Sequence, residues 1–115
     1  MGKFDDLINL YETEMKEKMG VRKPDSDLLR KVAKACGPAL YRKDATKVAI
    51  SDKTEMARVK KNFLANRLGI TDEAKQDKAI AKAIEKIGKS NRNKYRAIFY
   101  YFLTKETKKS SVFAD

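Results

Sequence analysis

The sequence predicts an all-α fold, a compact array of five main helices with a further short helix near residues 44–50. Apolar residues recur at three- and four-residue steps along most of the chain, which is the period of an amphipathic helix. Strong helix formers are abundant, and the chain has only two Pro. Four of its five Gly each follow an amphipathic segment, where helices commonly end: Gly20, Gly37, Gly69 and Gly88.

The first two helices are delimited by local signals. The first is predicted over about Lys3 to Met19, because its apolar residues form one stripe and acids occupy its first turn, where the helix dipole favours them. A proline-containing link follows. Asp25 or Ser26 then caps a second helix that runs to about Cys36, and Gly37-Pro38 ends it.

Residues 38–51 are apolar enough to be buried but show no clear period. Asp44 is placed to cap a short helix over 45–49. The segment Val48 to Ile50 also fits an extended conformation. We prefer the short helix, because the sequence holds no second strand candidate to pair with such a segment.

Three further helices are predicted, each after a capping residue. The third helix is capped within Ser51 to Glu55 and runs to about Leu68. The fourth is capped by Thr71 or Asp72 and runs to Ile87. The fifth is capped by Ser90 and runs through about Lys105. Because the last of them carries the densest aromatic run, it is predicted to be the central helix of the core. Residues 1–109 are thus expected to form one helical domain, and residues 110–115 a tail in which Val112 and Phe113 fold back.

The composition excludes several chemistries. The chain has no His, which removes Ser-His-Asp triads, Cys-His dyads and His-ligated metals. Cys36 is the only cysteine, so an internal disulfide is excluded and a zinc site is disfavoured. Gly88-Lys89-Ser90 is not a phosphate loop, because Ala83 stands where that motif needs Gly and a helix, not a strand, precedes it. We therefore expect no enzyme, no cofactor and no metal.

The hydropathy pattern shows no apolar run of 18 residues and no charged-then-apolar leader. No membrane partner and no signal peptide are therefore expected. Together with the single cysteine, this predicts a cytoplasmic setting.

The formal net charge of +11 is unevenly distributed. Residues 21–69 carry thirteen Lys and Arg against five acids, and residues 89–109 carry seven against one. Residues 70–88 are neutral, with four of each sign. Such asymmetry favours a polyanionic partner.

The candidate site lies at the start of the fifth predicted helix. A helix N-terminus offers free N–H groups to anions, and neighbouring Arg, Asn and Tyr could contact phosphates and stack on bases. The alternative is that Ser90 is only a cap and that the charges form a solvated face. The candidate residues are Lys89, Ser90, Asn91, Arg92, Asn93, Lys94 and Arg96, with Arg58, Lys61 and Arg67 of the third helix.

Two functions remain open from the sequence. One is a non-enzymatic binding module for nucleic acid or another polyanion. The other is a protein-interaction or self-association domain, including a homodimer, in which Tyr100 and Tyr101 or the Val112-Phe113 pair docks a partner.

Several segments resemble the signature of a family of small bacterial cytoplasmic proteins classed as a domain of unknown function. Its core is Lys-Ser-Asn-Arg-x-Lys-Tyr-Arg-Ala-x-x-Tyr-Tyr, within residues 88–103. Cys36-Gly37-Pro38 to Tyr41, Asn62-Phe63-Leu64 to Leu68-Gly69, and Ser111-Val112-Phe113 also resemble it. The resemblance implies a helical bacterial protein and carries no activity or site residues.

Overall fold

The computed structural model describes residues 2–42, 46–88, 91 and 94–113. Within them the chain is all-α, with five main helices as predicted. No described helix is long and apolar enough to cross a membrane. The helices are α1 (Lys3–Lys18), α2 (Ser26–Cys36), α3 (Lys53–Arg58, continued by a π-helix over Val59–Ala65), α4 (Glu73–Ile87) and α5 (Arg96–Glu106), with 3₁₀ turns at Gly37–Tyr41 and Ser110–Phe113.

Aspartate side chains cap three of these helices. Asp25 accepts a hydrogen bond from the backbone N–H of Leu28, and Asp72 accepts one from Ala74. Asp52 caps α3, so the predicted cap at Ser51 is wrong by one residue. Each carboxylate satisfies backbone N–H groups that have no partner inside the helix, and its charge suits the helix dipole.

The helix α5 is the centre of the core. It contacts α1, α2 and α4, and apolar residues around most of its circumference are buried. A helix that is apolar on nearly every side must be enclosed by others. Phe113, in the C-terminal 3₁₀ turn, is also buried, whereas Val112 is 41% exposed, so only one residue of that pair folds onto the body.

An antiparallel β-bridge ties the link before α3 to the chain just before α5. It pairs Lys47 with Tyr95. The backbone N–H of Val48 donates to the carbonyl of Lys94 at 2.9 Å, and a second backbone bond of 2.7 Å lies on the other side of the pair. The Val48 side chain is buried, so this short extended piece belongs to the core.

The β-bridge corrects two predictions. The short helix preferred over 45–49 is wrong, because 46–49 are extended or bent; Asp44 lies outside the described residues. The fifth helix begins at Arg96, so a cap at Ser90, also outside them, is wrong. Backbone groups expected to build helices at both places instead pair with each other across the fold.

Candidate anion-binding pocket

A pocket of about 400 Å³ lies between α2, the α3–π-helix segment and α5. Three candidate residues from the sequence, Arg58, Arg67 and Arg96, converge on its wall, and Glu55 is the one acid among the described residues that line it. We call it the arginine pocket, defined by these four residues with Asn62 and Tyr100. Its charged lining residues sum to a positive charge.

The π-helix is what brings two of the arginines together. In a regular α-helix, nine steps of about 100° would place Arg67 on the face opposite Arg58. Over Val59–Ala65 the chain turns more slowly, since backbone bonds span five residues, as in the 3.1 Å bond from the N–H of Asn66 to the carbonyl of Lys61. The slower turn rotates Arg67 towards the side of the helix that faces the pocket.

Arg96 is held in place at the pocket wall. Its guanidinium lies 2.5 Å from a carboxylate oxygen of Glu55, and both side chains are about one-sixth exposed. It also donates to the Tyr100 hydroxyl at 3.0 Å. Burial works against the Arg96 charge, yet the nearby Tyr100 and Glu55 hold its pKa above the ordinary value. Arg96 is therefore a fixed positive charge.

Arg58 and Arg67 are the exposed arginines of the pocket. The Arg67 guanidinium lies 5.1 Å from the centroid of the Phe113 ring, a cation–π contact that orients it. A guanidinium presents a planar fork of donors that fits phosphate or carboxylate oxygens in pairs. These two side chains can thus make the first contacts with an anion, and exposed Asn62 adds a neutral donor.

Tyr100 and Tyr101, the tyrosines of α5, pack against other residues of the protein. The Tyr100 ring stacks on Phe63 with centroids 4.2 Å apart, which covers one face. Tyr101 is 2% exposed, and its hydroxyl accepts the backbone N–H of Asp25 at 2.9 Å. Burial raises the pKa of both phenols. The structure therefore leaves Tyr101 no surface for a base, and Phe63 already covers one face of Tyr100.

The remaining candidate residues lie elsewhere. Lys61 lines a different surface, beside Lys60 and Glu73. Asn91 donates from its side chain to the carbonyl of Ile87 at 3.2 Å, which closes the end of α4. Lys94 is 9% exposed and donates to the carbonyl of Asn91. The other four lie outside the described residues: Lys89, Ser90, Arg92 and Asn93.

Cys36 lines the pocket as a neutral thiol. Burial raises its pKa to about 12, far above neutral pH, so the thiolate that nucleophilic or metal chemistry requires is scarce. Within the described part of the chain, no group of three or more Cys, Asp or Glu side chains could hold a metal ion.

A family model described as a protein of unknown function, DUF2853, matches residues 10–111. The chain belongs to this family. The resemblance inferred from its segments is thereby confirmed at the level of a family of unknown function. The match spans every residue of the arginine pocket in this family member. No curated protein matches the chain.

Two pocket residues were missed by the sequence reasoning. Asn62 could have been found, because it lies four residues after Arg58 and such positions are neighbours on a helix. Glu55 could not, because its partner Arg96 is 41 residues away along the chain. Only the folded structure, in which Glu55 of α3 pairs with Arg96 of α5, shows that this carboxylate lies among three arginines.

Proposed function

We propose that this protein is a non-enzymatic binding module for nucleic acid or another polyanion, and that the arginine pocket binds a phosphate group of the ligand. The observation that supports this most strongly is the convergence of Arg58, Arg67 and Arg96 on one pocket. Three basic side chains repel one another unless an anion joins them. A single carboxylate, Glu55, offsets only part of that charge.

The arrangement suits a phosphate diester. Arg58 and Arg67 close on the anion from the exposed side, while Arg96, fixed by Glu55, supplies charge from the floor. A volume of about 400 Å³ leaves room for the sugar beside the phosphate. Because the Tyr101 ring is buried and one face of the Tyr100 ring is covered by Phe63, we expect binding to depend mainly on the nucleic-acid backbone and to be tolerant of base sequence.

The same residues support the absence of catalysis. Glu55 is ion-paired, and the Cys36 thiol stays protonated at neutral pH. Neither is poised as a base or a nucleophile, and no His stands near them because the chain has none. The pocket is equipped to hold an anion rather than to transform it.

Binding is tested by fluorescence anisotropy with a labelled oligothymidylate of about 16 nucleotides, a length at the upper end of single-strand binding sites. Inorganic polyphosphate and a duplex of the same length are the further ligands. The logarithm of the binding constant is expected to fall linearly with that of the salt concentration between about 50 and 200 mM. A wild-type protein that binds none of the three at low salt would overturn the proposal.

The site is tested with a charge-matched pair of variants. Arg58→Gln with Arg67→Gln removes two charges from the pocket, and Arg22→Gln with Lys23→Gln removes two from the exposed link before α2. Each lost phosphate contact on a single strand should reduce the salt slope by about 0.7. The salt slope of the pocket variant should therefore be smaller than that of the wild type by about 1.4, and that of the link variant should be almost unchanged. Equal losses would refute the assignment of the pocket.

The alternative of protein interaction has less support. Two of the residues it relies on, Tyr101 and Phe113, are 2% and 6% exposed, because the protein itself covers them. Val112 and Tyr41 are exposed apolar side chains, and single residues of this kind are common on protein surfaces. Light scattering over a concentration series tests self-association, including a homodimer.

A further inference from the structure

A second basic surface lies between α4 and the residues that follow α5. It is a groove of about 640 Å³, and the described residues that line it include five lysines against two acids, Asp72 and Glu106. We call it the lysine groove, defined by Lys75, Lys78 and Lys82 of α4 and by Lys108 and Lys109. None of these lysines belongs to the arginine pocket.

The charges of α4 are separated onto two faces. Its three groove lysines are three and four residues apart, so they share one side of the helix. Two of its acids point the other way, towards Lys60 on the π-helix: the Lys60 Nζ lies 2.6 Å from Asp77 and 3.9 Å from Glu73. Although residues 70–88 are neutral in total, α4 therefore presents a face of lysines to the groove.

Lys108 is in a backbone conformation that favours glycine. Its φ is +56°, the left-handed region in which a Cβ is crowded by the backbone. Elsewhere in the part of the chain that the structure describes, the positive-φ positions are occupied by glycine, at Gly20, Gly37, Gly69 and Gly88. A lysine thus stands where glycine would fit with less strain, and its side chain is exposed and lines the groove.

The arginine pocket and the lysine groove adjoin. Arg67 of the pocket is two residues before Gly69, which lines the groove. On the other side, Lys109 lines the groove, and Phe113 four residues later lies beneath the guanidinium of Arg67. The rim between the two surfaces is thus made of two short segments, residues 67–69 and 109–113.

We propose that the lysine groove is a second phosphate-binding site, which holds the backbone of a single-stranded nucleic acid that also occupies the arginine pocket. This inference rests on the proposed function. Lysine ammonium groups are point charges with rotatable donors, which suit phosphates of variable orientation along a strand. Both surfaces are recessed, so a flexible strand can follow them, whereas a duplex is stiff over this length.

The test compares two triple variants of equal charge. The first removes the three charges on the α4 side of the groove: Lys75→Gln, Lys78→Gln and Lys82→Gln. The second, the control, removes three exposed charges outside both sites: Lys16→Gln, Arg22→Gln and Lys23→Gln. With oligothymidylate of about 16 nucleotides, the groove variant should lose about 2 from the salt slope, and the control almost nothing. Single-stranded ligand should bind more tightly than the duplex.

The outcomes separate this inference from the proposed function. If the wild-type protein binds no polyanion, both fail. If the pocket variant weakens binding but the groove triple variant matches its control, the groove alone is refuted. If the duplex binds as tightly as the single strand, or polyphosphate shows the same dependence on the groove while oligothymidylate does not bind, the assignment to single-stranded nucleic acid is refuted.

Substitution of Lys108 by glycine should raise the stability of the protein and weaken its binding. Lys108→Gly relieves the left-handed backbone and removes one phosphate contact, so Tm should rise by a few degrees while the salt slope falls by about 0.7. Lys108→Arg keeps the charge and the conformation, and should leave both close to wild type. A Lys108→Gly protein that binds as tightly as wild type would contradict the proposal.

Discussion

The arginine pocket and the lysine groove present the same sign of charge on differently built walls. In the pocket, Arg96 and Glu55 are each about one-sixth exposed, and Tyr100 stacks on buried Phe63. In the groove, four of the five lysines are exposed. The arginine pocket is continuous with the core, whereas the lysine groove is formed largely by the exposed face of α4.

This difference predicts how binding relates to stability in each region. A change to Arg96, to Glu55 or to the rings packed beside them should alter both, since packing and an ion pair hold these groups in place. A change to the three groove lysines of α4 should alter binding with little effect on stability, since exposed side chains away from caps and ion pairs contribute little to folding. The predictions below test this separation, starting with the largest effect.

Phe63→Ala should be the most destabilising change at the pocket. Phe63 is 5% exposed and stacks on Tyr100 at 4.2 Å and on Phe113 at 6.4 Å. Its truncation should lower the free energy of unfolding by about 3–5 kcal/mol in urea denaturation. Phe63→Leu keeps most of the volume and should lose about 1.5 kcal/mol or less. A loss below about 1 kcal/mol for Phe63→Ala would mean that the pocket is not continuous with the core.

Glu55→Gln should destabilise the protein yet strengthen anion binding. It leaves the guanidinium of Arg96, about one-sixth exposed, beside a neutral amide, which should lower the free energy of unfolding by about 2 kcal/mol, less than for a fully buried pair. It also removes the one acid that lines the pocket, so oligonucleotide affinity should rise. The matched control is Glu73→Gln, whose side chain is 81% exposed and should change stability by less than about 0.5 kcal/mol. A Glu55→Gln protein that binds more weakly than wild type would contradict a role for charge.

Alkaline pH should weaken the folded state through buried groups that lose protons on unfolding. Burial raises the pKa of Cys36 from 9.0 to about 12 and that of Tyr11 from 10.0 to about 12. The folded state keeps these protons where the unfolded chain has released them. The stabilisation is therefore complete below pH 9 and is lost as pH rises through that window towards about 12.

Cys36→Ala isolates the thiol part of this effect. At about pH 10, the wild-type protein should have lost about 1 kcal/mol of unfolding free energy through Cys36, and the variant should lack that part of the decline. Urea denaturation at neutral and alkaline pH measures both. Parallel pH dependences would show that the thiol is not buried in the pocket wall.

Local signals in the sequence located most of the helices. The carboxylates of Asp25 and Asp72 cap α2 and α4 as predicted, and Gly20 and Gly88 follow α1 and α4. Caps and stops depend on atoms within one turn of the helix, so the neighbouring residues decide them. Family membership, too, followed from short segments of sequence.

The features that local signals missed depend on residues far apart in the chain and on the number of residues per helical turn. The start of α5 is delayed because Lys94 pairs with Val48, 46 residues earlier in the chain. The π-helix turns Arg67 towards Arg58, which the usual 100° step cannot show. The net charge of residues 70–88 is zero because the lysines and acids in this segment cancel. That sum does not show that the lysines and two of the acids of α4 lie on different faces of the helix.

The smallest expected effect is the stability of the groove triple variant, Lys75→Gln, Lys78→Gln and Lys82→Gln. Like charges three and four residues apart on a helix repel by about 0.2–0.5 kcal/mol per pair, so their removal should leave the free energy of unfolding unchanged or raise it slightly. Urea denaturation at two salt concentrations checks this, and any gain should shrink at high salt because salt screens the repulsion.

Lys60→Gln is the control, because its ammonium is ion-paired with Asp77 at 2.6 Å and its loss should destabilise by up to about 1 kcal/mol. If the groove variant instead loses more than 1 kcal/mol, these lysines support the fold, and their charge needs no ligand to explain it. If it loses nothing, the protein retains a row of mutually repelling charges that folding does not require. That outcome agrees with the role in anion binding that we propose for the row and for the three arginines of the pocket.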